Sequence, residues 1–164
     1  MIPHSRMEYG IVITITLDTN VLDGYIYDYN DRILKNINKN TYEIFYSGQT
    51  HGRKDYELLN AISDNVIFYI YYRVKGSFIY LGNTSIVNII QQRKIPKNQH
   101  ANYNERLQIH FIVNDVKNEL VPKNNFKKSG KFKKDVLVHA GLIKTDENIN
   151  YNTNFGFFKF YYNN

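Results

Sequence analysis

Val66-Ile67-Phe68-Tyr69-Ile70-Tyr71-Tyr72-Arg73-Val74 and Ser77-Phe78-Ile79-Tyr80-Leu81 are two β-rich runs separated by Lys75-Gly76. Aromatic and β-branched residues fit a pleated, half-buried surface, and a two-residue connection containing glycine joins antiparallel neighbours. Lys-Gly is a weaker turn signal than Asn-Gly, but the flanking runs are long enough to predict a hairpin.

Outward from this hairpin, Gly10 to Leu17 alternates Ile11, Ile13, Ile15 and Leu17 with Val12, Thr14 and Thr16, the two-residue period of a half-buried strand. Leu107, Ile109, Phe111 and Val113 repeat the pattern, and Tyr42 to Ser47 reads as another strand. Asp18-Thr19-Asn20 predicts a turn and Tyr25 to Tyr29 a returning strand, whereas the polar stretch Asp31 to Asn40 predicts a loop or short helix. Lys54 to Ile62 spaces Tyr56, Leu58, Leu59 and Ile62 as one buried helical stripe, with Arg53, Asp55 and Asn60 on the polar face. Ile86 to Ile90 reads as a brief helix or strand, and Gln91 to Asn104 as a polar connection of the kind that carries function on β scaffolds. Asp135 to Leu142 and Asn154 to Tyr162 add two weaker apolar segments. The sum predicts a β-dominated α+β domain of about six to eight strands with one or two short helices, consistent with a small, partly closed β-barrel.

A chain of 164 residues without an internal repeat or linker fits one domain, residues 1–164, large enough for a core without staples. Cysteine is absent and no apolar run approaches the roughly 20 residues of a membrane helix, so a cytoplasmic protein that makes no membrane contact is expected. The five histidines lack zinc-helix spacing and no metal site or cofactor is expected. No phosphate-cradling loop and no nucleophile with a matching base is present, so no catalytic residue is assigned. The formal net charge of +6 favours polyanionic partners. Lys123, Lys127, Lys128, Lys131, Lys133 and Lys134 lie in one acid-free run with Phe126 and Phe132 interleaved, which reads either as a solvated loop or as a phosphate-contacting arm. The 15 tyrosines accompany abundant Asn, Ile and Lys, a pattern that coding bias also produces, so aromatic content alone does not argue for base stacking.

Tyr46-Ser47-Gly48-Gln49, then Gly52, then Tyr80-Leu81-Gly82 form a sparse motif between residues 42 and 83. In these residues the chain resembles the modified-base readers of methylation-dependent restriction systems, related to the SET- and RING-associated domains and the wider PUA-like fold. Those readers carry Tyr-Thr-Gly-Gln, a downstream Gly-Asp-Gln and a Tyr-Leu-Gly-like step. Here Arg53 and Lys54 replace the Asp-Gln pair, with Asp55 one residue beyond. The resemblance implies a DNA-binding domain that recognises a modified cytosine, read either in the duplex or after flipping of the base. Tyr46, Ser47, Gln49, His51, Asp55, Tyr80 and Asn83 would meet the base. Tyr46 and Tyr80 would share a rim if their strands were neighbours. Arg53, Lys54, Lys127, Lys128, Lys131, Lys133 and Lys134 would meet phosphates. The partner would be duplex DNA carrying a modified base, read either by a stand-alone domain or by the specificity module of a longer protein with a nuclease or NTPase part. Tyr80-Leu81-Gly82-Asn83-Thr84 with Arg93 also resembles GIY-YIG nucleases, which would recruit Glu105 or Glu119 to metal, and a PUA-like RNA binder is a further alternative.

Overall fold

A computed structural model of the chain describes residues 7–16, 32–35, 40–74, 77–122, 138–139, 149–154 and 157–163. The predicted turn at Asp18 to Asn20, the strand at Tyr25 to Tyr29 and the lysine run from Lys123 to Lys134 lie outside them.

The hairpin forms as its sequence implies: β4 (Phe68–Val74) and β5 (Ser77–Thr84) pair antiparallel from Val74 and Ser77 at the turn to Phe68 and Thr84. Its register slips where Ile70 pairs with Gly82 and Tyr71 with Tyr80, which leaves Leu81 as the extra residue of a bulge. Gly82 has φ +128°, a backbone state that residues with a Cβ rarely adopt, so glycine suits this bend.

The hairpin builds into a six-stranded sheet of order β8-β5-β4-β1-β10-β9, with β1 spanning Met7–Thr16, β8 Glu119–Pro122, β9 Ile149–Asn154 and β10 Phe157–Asn163. β1 runs parallel to β4 and antiparallel to β10. A second sheet of order β2-β3-β7-β6 combines Arg32–Lys35, Thr41–Ser47, Gln108–Asn114 and Val87–Gln91, all neighbours antiparallel. Ile11, Ile13, Phe68, Ile70 and Leu81 of the first sheet share one core with Ile44, Ile109, Phe111 and Val113 of the second, and Phe68 meets Phe111 ring to ring at 5.1 Å. The helix α1 (Asp55–Ser63) adds Leu58 and Ala61 to that core.

Several expectations are corrected. The fold is β-dominated α+β, but among the described residues the sheets do not close into a barrel, and ten strands form where about six to eight were expected. Within the polar stretch 31–40, Arg32–Lys35 is a strand, since pairing with β3 outweighs its composition. β1 is buried on both faces, Val12 as completely as Ile11 and Ile13, because it is a central strand between β4 and β10. On α1, Tyr56 is 73% exposed, and Ala61 takes the inward position assigned to it. Of the two forms expected near residues 86–90, the strand is observed, as β6 (Val87–Gln91).

Candidate nucleic-acid interface

β3 ends at Ser47, and the chain then needs room. The Gly48 amide donates to the Leu107 carbonyl at 2.7 Å, and a Cβ on Gly48 would lie 2.8 Å from Asp55 Oδ1 and 3.1 Å from the Leu107 Cβ. Gln49 to Gly52 forms a tight turn in which the Gly52 amide donates to the Gln49 carbonyl at 3.0 Å and Gly52 adopts φ +68°. Both glycines of the motif are therefore explained locally, Gly48 by a close approach and Gly52 by a left-handed turn as well. The turn hands the chain to α1, whose first residue is Asp55; a carboxylate there suits the positive end of the helix.

Asp55 was assigned to a polar, solvent-facing side of α1, and the structure corrects this. Both its carboxylate oxygens are buried and neither has a hydrogen-bond partner. Burial pushes the Asp55 carboxyl above its ordinary range, while Arg93 and Lys97 pull it the other way. Such a group is costly to leave unpaired, because it has given up water without a replacement.

Arg93 stands beside it, in the loop that follows β6. Its Nη1 donates to the Thr50 carbonyl at 2.9 Å, and its Nη2 donates to the carbonyls of Pro96, at 3.1 Å, and Gln99. Its Nε is buried without a partner. A Cβ on Gly52 would sit 3.1 Å from that Nε and 3.2 Å from Asp55 Oδ2, so the two unpaired groups crowd one spot against the glycine backbone.

The polar stretch after β6 is consequently well anchored. The Asn98 amide donates to the His51 carbonyl at 3.0 Å and the Ala101 amide to the Thr50 carbonyl at 2.9 Å, which lays the loop along the Gln49 to Gly52 turn. At its far end the Asn102 amide donates to Glu105 Oε1 at 3.0 Å, and the buried Arg106 donates from Nε to the Ala101 carbonyl at 3.0 Å. His51 and His100 meet edge to face with ring centres 6.0 Å apart. Exposed Arg53, Lys94, Lys97 and His100 lie on the turn and loop that carry the buried Asp55 oxygens and the Arg93 Nε, and Lys97 acts on the Asp55 carboxyl through its charge.

Of the residues expected to meet a base, Gln49, His51 and Asp55 belong to this cluster, with Ser47 buried just before it. Tyr80 and Asn83 do not. β3 and β5 lie in different sheets, so the condition for a shared Tyr46 and Tyr80 rim is unmet. Tyr46 is 6% exposed and packs against Phe111. Tyr80, also 6% exposed, lies 4.7 Å from the Tyr71 ring and meets the edge of His139; Asn83 hydrogen-bonds to it. In that second cluster the Tyr71 hydroxyl lies 2.7 Å from His139 Nδ1, and burial raises the pKa of both tyrosines, so the hydroxyls stay protonated. Among the expected phosphate contacts, Arg53 is exposed at the cluster, Lys54 is paired with Glu57 at 3.1 Å, and Lys127, Lys128, Lys131, Lys133 and Lys134 are outside the described residues.

Arg93, part of the GIY-YIG resemblance, sits in a loop and spends its Nη atoms on carbonyls. Lys94 and Lys97 were missed as rim residues. The signal was present in Arg93-Lys94-Ile95-Pro96-Lys97, an acid-free basic run within the loop already marked as functional. Comparison with protein-family models, curated proteins and solved structures finds no match to this chain.

Proposed function

We propose that the chain is a DNA-binding domain that reads a modified base, with modified cytosine as the preferred target, and that it serves as a specificity module beside a nuclease or NTPase on the same or another chain. The observation that carries this reading is the Asp55 carboxylate and the Arg93 Nε, both buried without a hydrogen-bond partner, beside exposed Arg53, Lys94 and Lys97. An ionised carboxylate accepts hydrogen bonds and an arginine Nε–H donates one. Cytosine offers an exocyclic amine to the first and ring acceptors to the second, so one planar base would satisfy both. Thymine, with a carbonyl in place of the amine, would set oxygen against oxygen. A base inside a duplex cannot reach such a spot, so the reading requires extrusion and a parting of the turn at Gln49 to Gly52 from the Arg93 loop. Arg53, Lys94 and Lys97 would hold the displaced backbone.

The test is a binding comparison on matched duplexes bearing cytosine, 5-methylcytosine or 5-hydroxymethylcytosine, with single-stranded RNA as competitor. The wild-type chain should prefer one modified duplex. Asp55→Ala should weaken binding to the preferred duplex by about 1–3 kcal/mol and relax its discrimination of cytosine from thymine at that position. Equal binding to all three duplexes by the folded wild-type protein overturns the reading, and preference for the RNA replaces it with RNA binding.

A further inference from the structure

The second sheet ends on an edge strand whose sequence is nearly its own mirror image. Ile86-Val87-Asn88-Ile89-Ile90 places two apolar residues on each side of a central asparagine. β6 pairs with β7 on one side and, among the described residues, forms the end of the sheet on the other. Ile86, Ile89 and Ile90 are 47%, 40% and 51% exposed. Edges that face water are commonly blunted with charge or proline. Among the four sheet edges, β2 carries Arg32 and Lys35 and β8 carries Glu119 and Pro122; β9 and β6 contain neither device, but β9 is polar, with Asn at three of its six positions, and β6 is the apolar one.

The ladder with β7 fixes which backbone groups are offered. The Ile112 amide donates to the Ile86 carbonyl at 3.0 Å, and Asn88 pairs with His110. Alternate residues of a strand address the same neighbour, so Val87 and Ile89 turn their N–H and C=O groups to the open side. An incoming antiparallel strand must present its own donors and acceptors two residues apart and bring apolar side chains against Val87 and Ile89.

We propose that the occupant is a second copy of this chain, paired β6 to β6 in antiparallel register about a two-fold axis at Asn88. Val87 of each copy then exchanges both hydrogen bonds with Ile89 of the other, and the two Asn88 amides meet at the axis. Every cross-strand pair is apolar on apolar or amide on amide, and no like charges meet despite the +6 net charge of each copy. The bulge at Ile90 ends the regular ladder beyond this stretch and limits the pairing to it. At the opposite edge of the same sheet, Arg32 and Lys35 of β2 would face like charges in a second self-pairing, so this sheet extends once, into one continuous eight-stranded sheet across two copies.

The absence of cysteine makes the register directly testable. In a non-hydrogen-bonded antiparallel pair the Cα atoms are about 4.5 Å apart, a separation that a disulfide spans. Asn88→Cys should therefore oxidise to a covalent dimer, whereas Leu120→Cys, at an exposed position on β8, should stay largely monomeric under the same conditions. Light scattering on the wild-type chain should give a dimer, and Ile89→Lys should raise its Kd about tenfold or more with unchanged circular dichroism. A wild-type monomer throughout the micromolar range overturns the proposal. So does an open-ended series of higher oligomers, or equal cross-linking of the two cysteine variants. Should Ile89→Lys fail to fold, the cysteine pair decides.

Discussion

At the scale of the residue, Asp55 holds the most chemistry. Burial raises its carboxyl pKa in the folded chain above the ordinary value of 3.8, so between the two values the native state binds more protons than the unfolded state. Stability from this group is full below the ordinary value and is lost as pH rises through the folded one. Asp55→Asn removes that loss. Urea melts should find the variant at least as stable as wild type at pH 7, with its relative advantage shrinking as the pH drops toward 3.5. A variant clearly less stable at pH 7 would mean that the ionised carboxylate has a partner worth more than its burial costs. Gly52→Ala is expected to cost roughly 1–2 kcal/mol from the left-handed backbone alone, and more because its Cβ would sit 2.9 Å from the Arg93 Cδ. Thermal melts measure that loss, and an unchanged midpoint would show that the turn relaxes freely. The importance of Gly48 and Gly52 was legible in the sequence; their physical reason was not, because it depends on Arg93 and Leu107, distant in sequence.

Elements carry the next layer, and the clearest case is β7. Leu107, Ile109, Phe111 and Val113 alternate in the sequence and all four are buried. Period two sufficed because one face of this strand meets the core and the other does not. Phe111 bridges the sheets, touching the rings of Phe68 and Tyr46. Phe111→Ala should destabilise the chain by about 3–5 kcal/mol through lost burial and an unfilled cavity. A denaturation midpoint that falls by less than a third of that would mean that the two sheets close over the gap. β2, β8 and β9 show the opposite case. Each is short or polar, as in Ile149-Asn150-Tyr151-Asn152-Thr153-Asn154, and each exists because a stronger strand supplies a hydrogen-bonding edge.

For the whole molecule, the decisive quantity is charge. A chain of +6 that contacts phosphates releases counterions, so duplex affinity should fall steeply with salt. Replacing Arg53 and Lys97 together by glutamine should flatten the log–log salt slope by about 2 and weaken all duplexes alike. An unchanged slope would remove the rim from the interface and leave the Lys123 to Lys134 run as the phosphate contact.

The sequence by itself determined the β-dominated class, the β4–β5 hairpin, the strands β1, β3 and β7, and the short helix after Gly52, because each rests on a local period or turn. It also marked Gly48, Gln49, Gly52, Asp55 and the stretch after β6. Tertiary structure alone decided that Tyr46 and Tyr80 belong to separate clusters, since sheet membership is set by pairings between strands far apart in the chain. It alone placed the Asp55 carboxylate inside, next to Arg93, because burial of a polar group depends on which loop folds over it, and no residue pattern near position 55 records the loop that begins at Arg93.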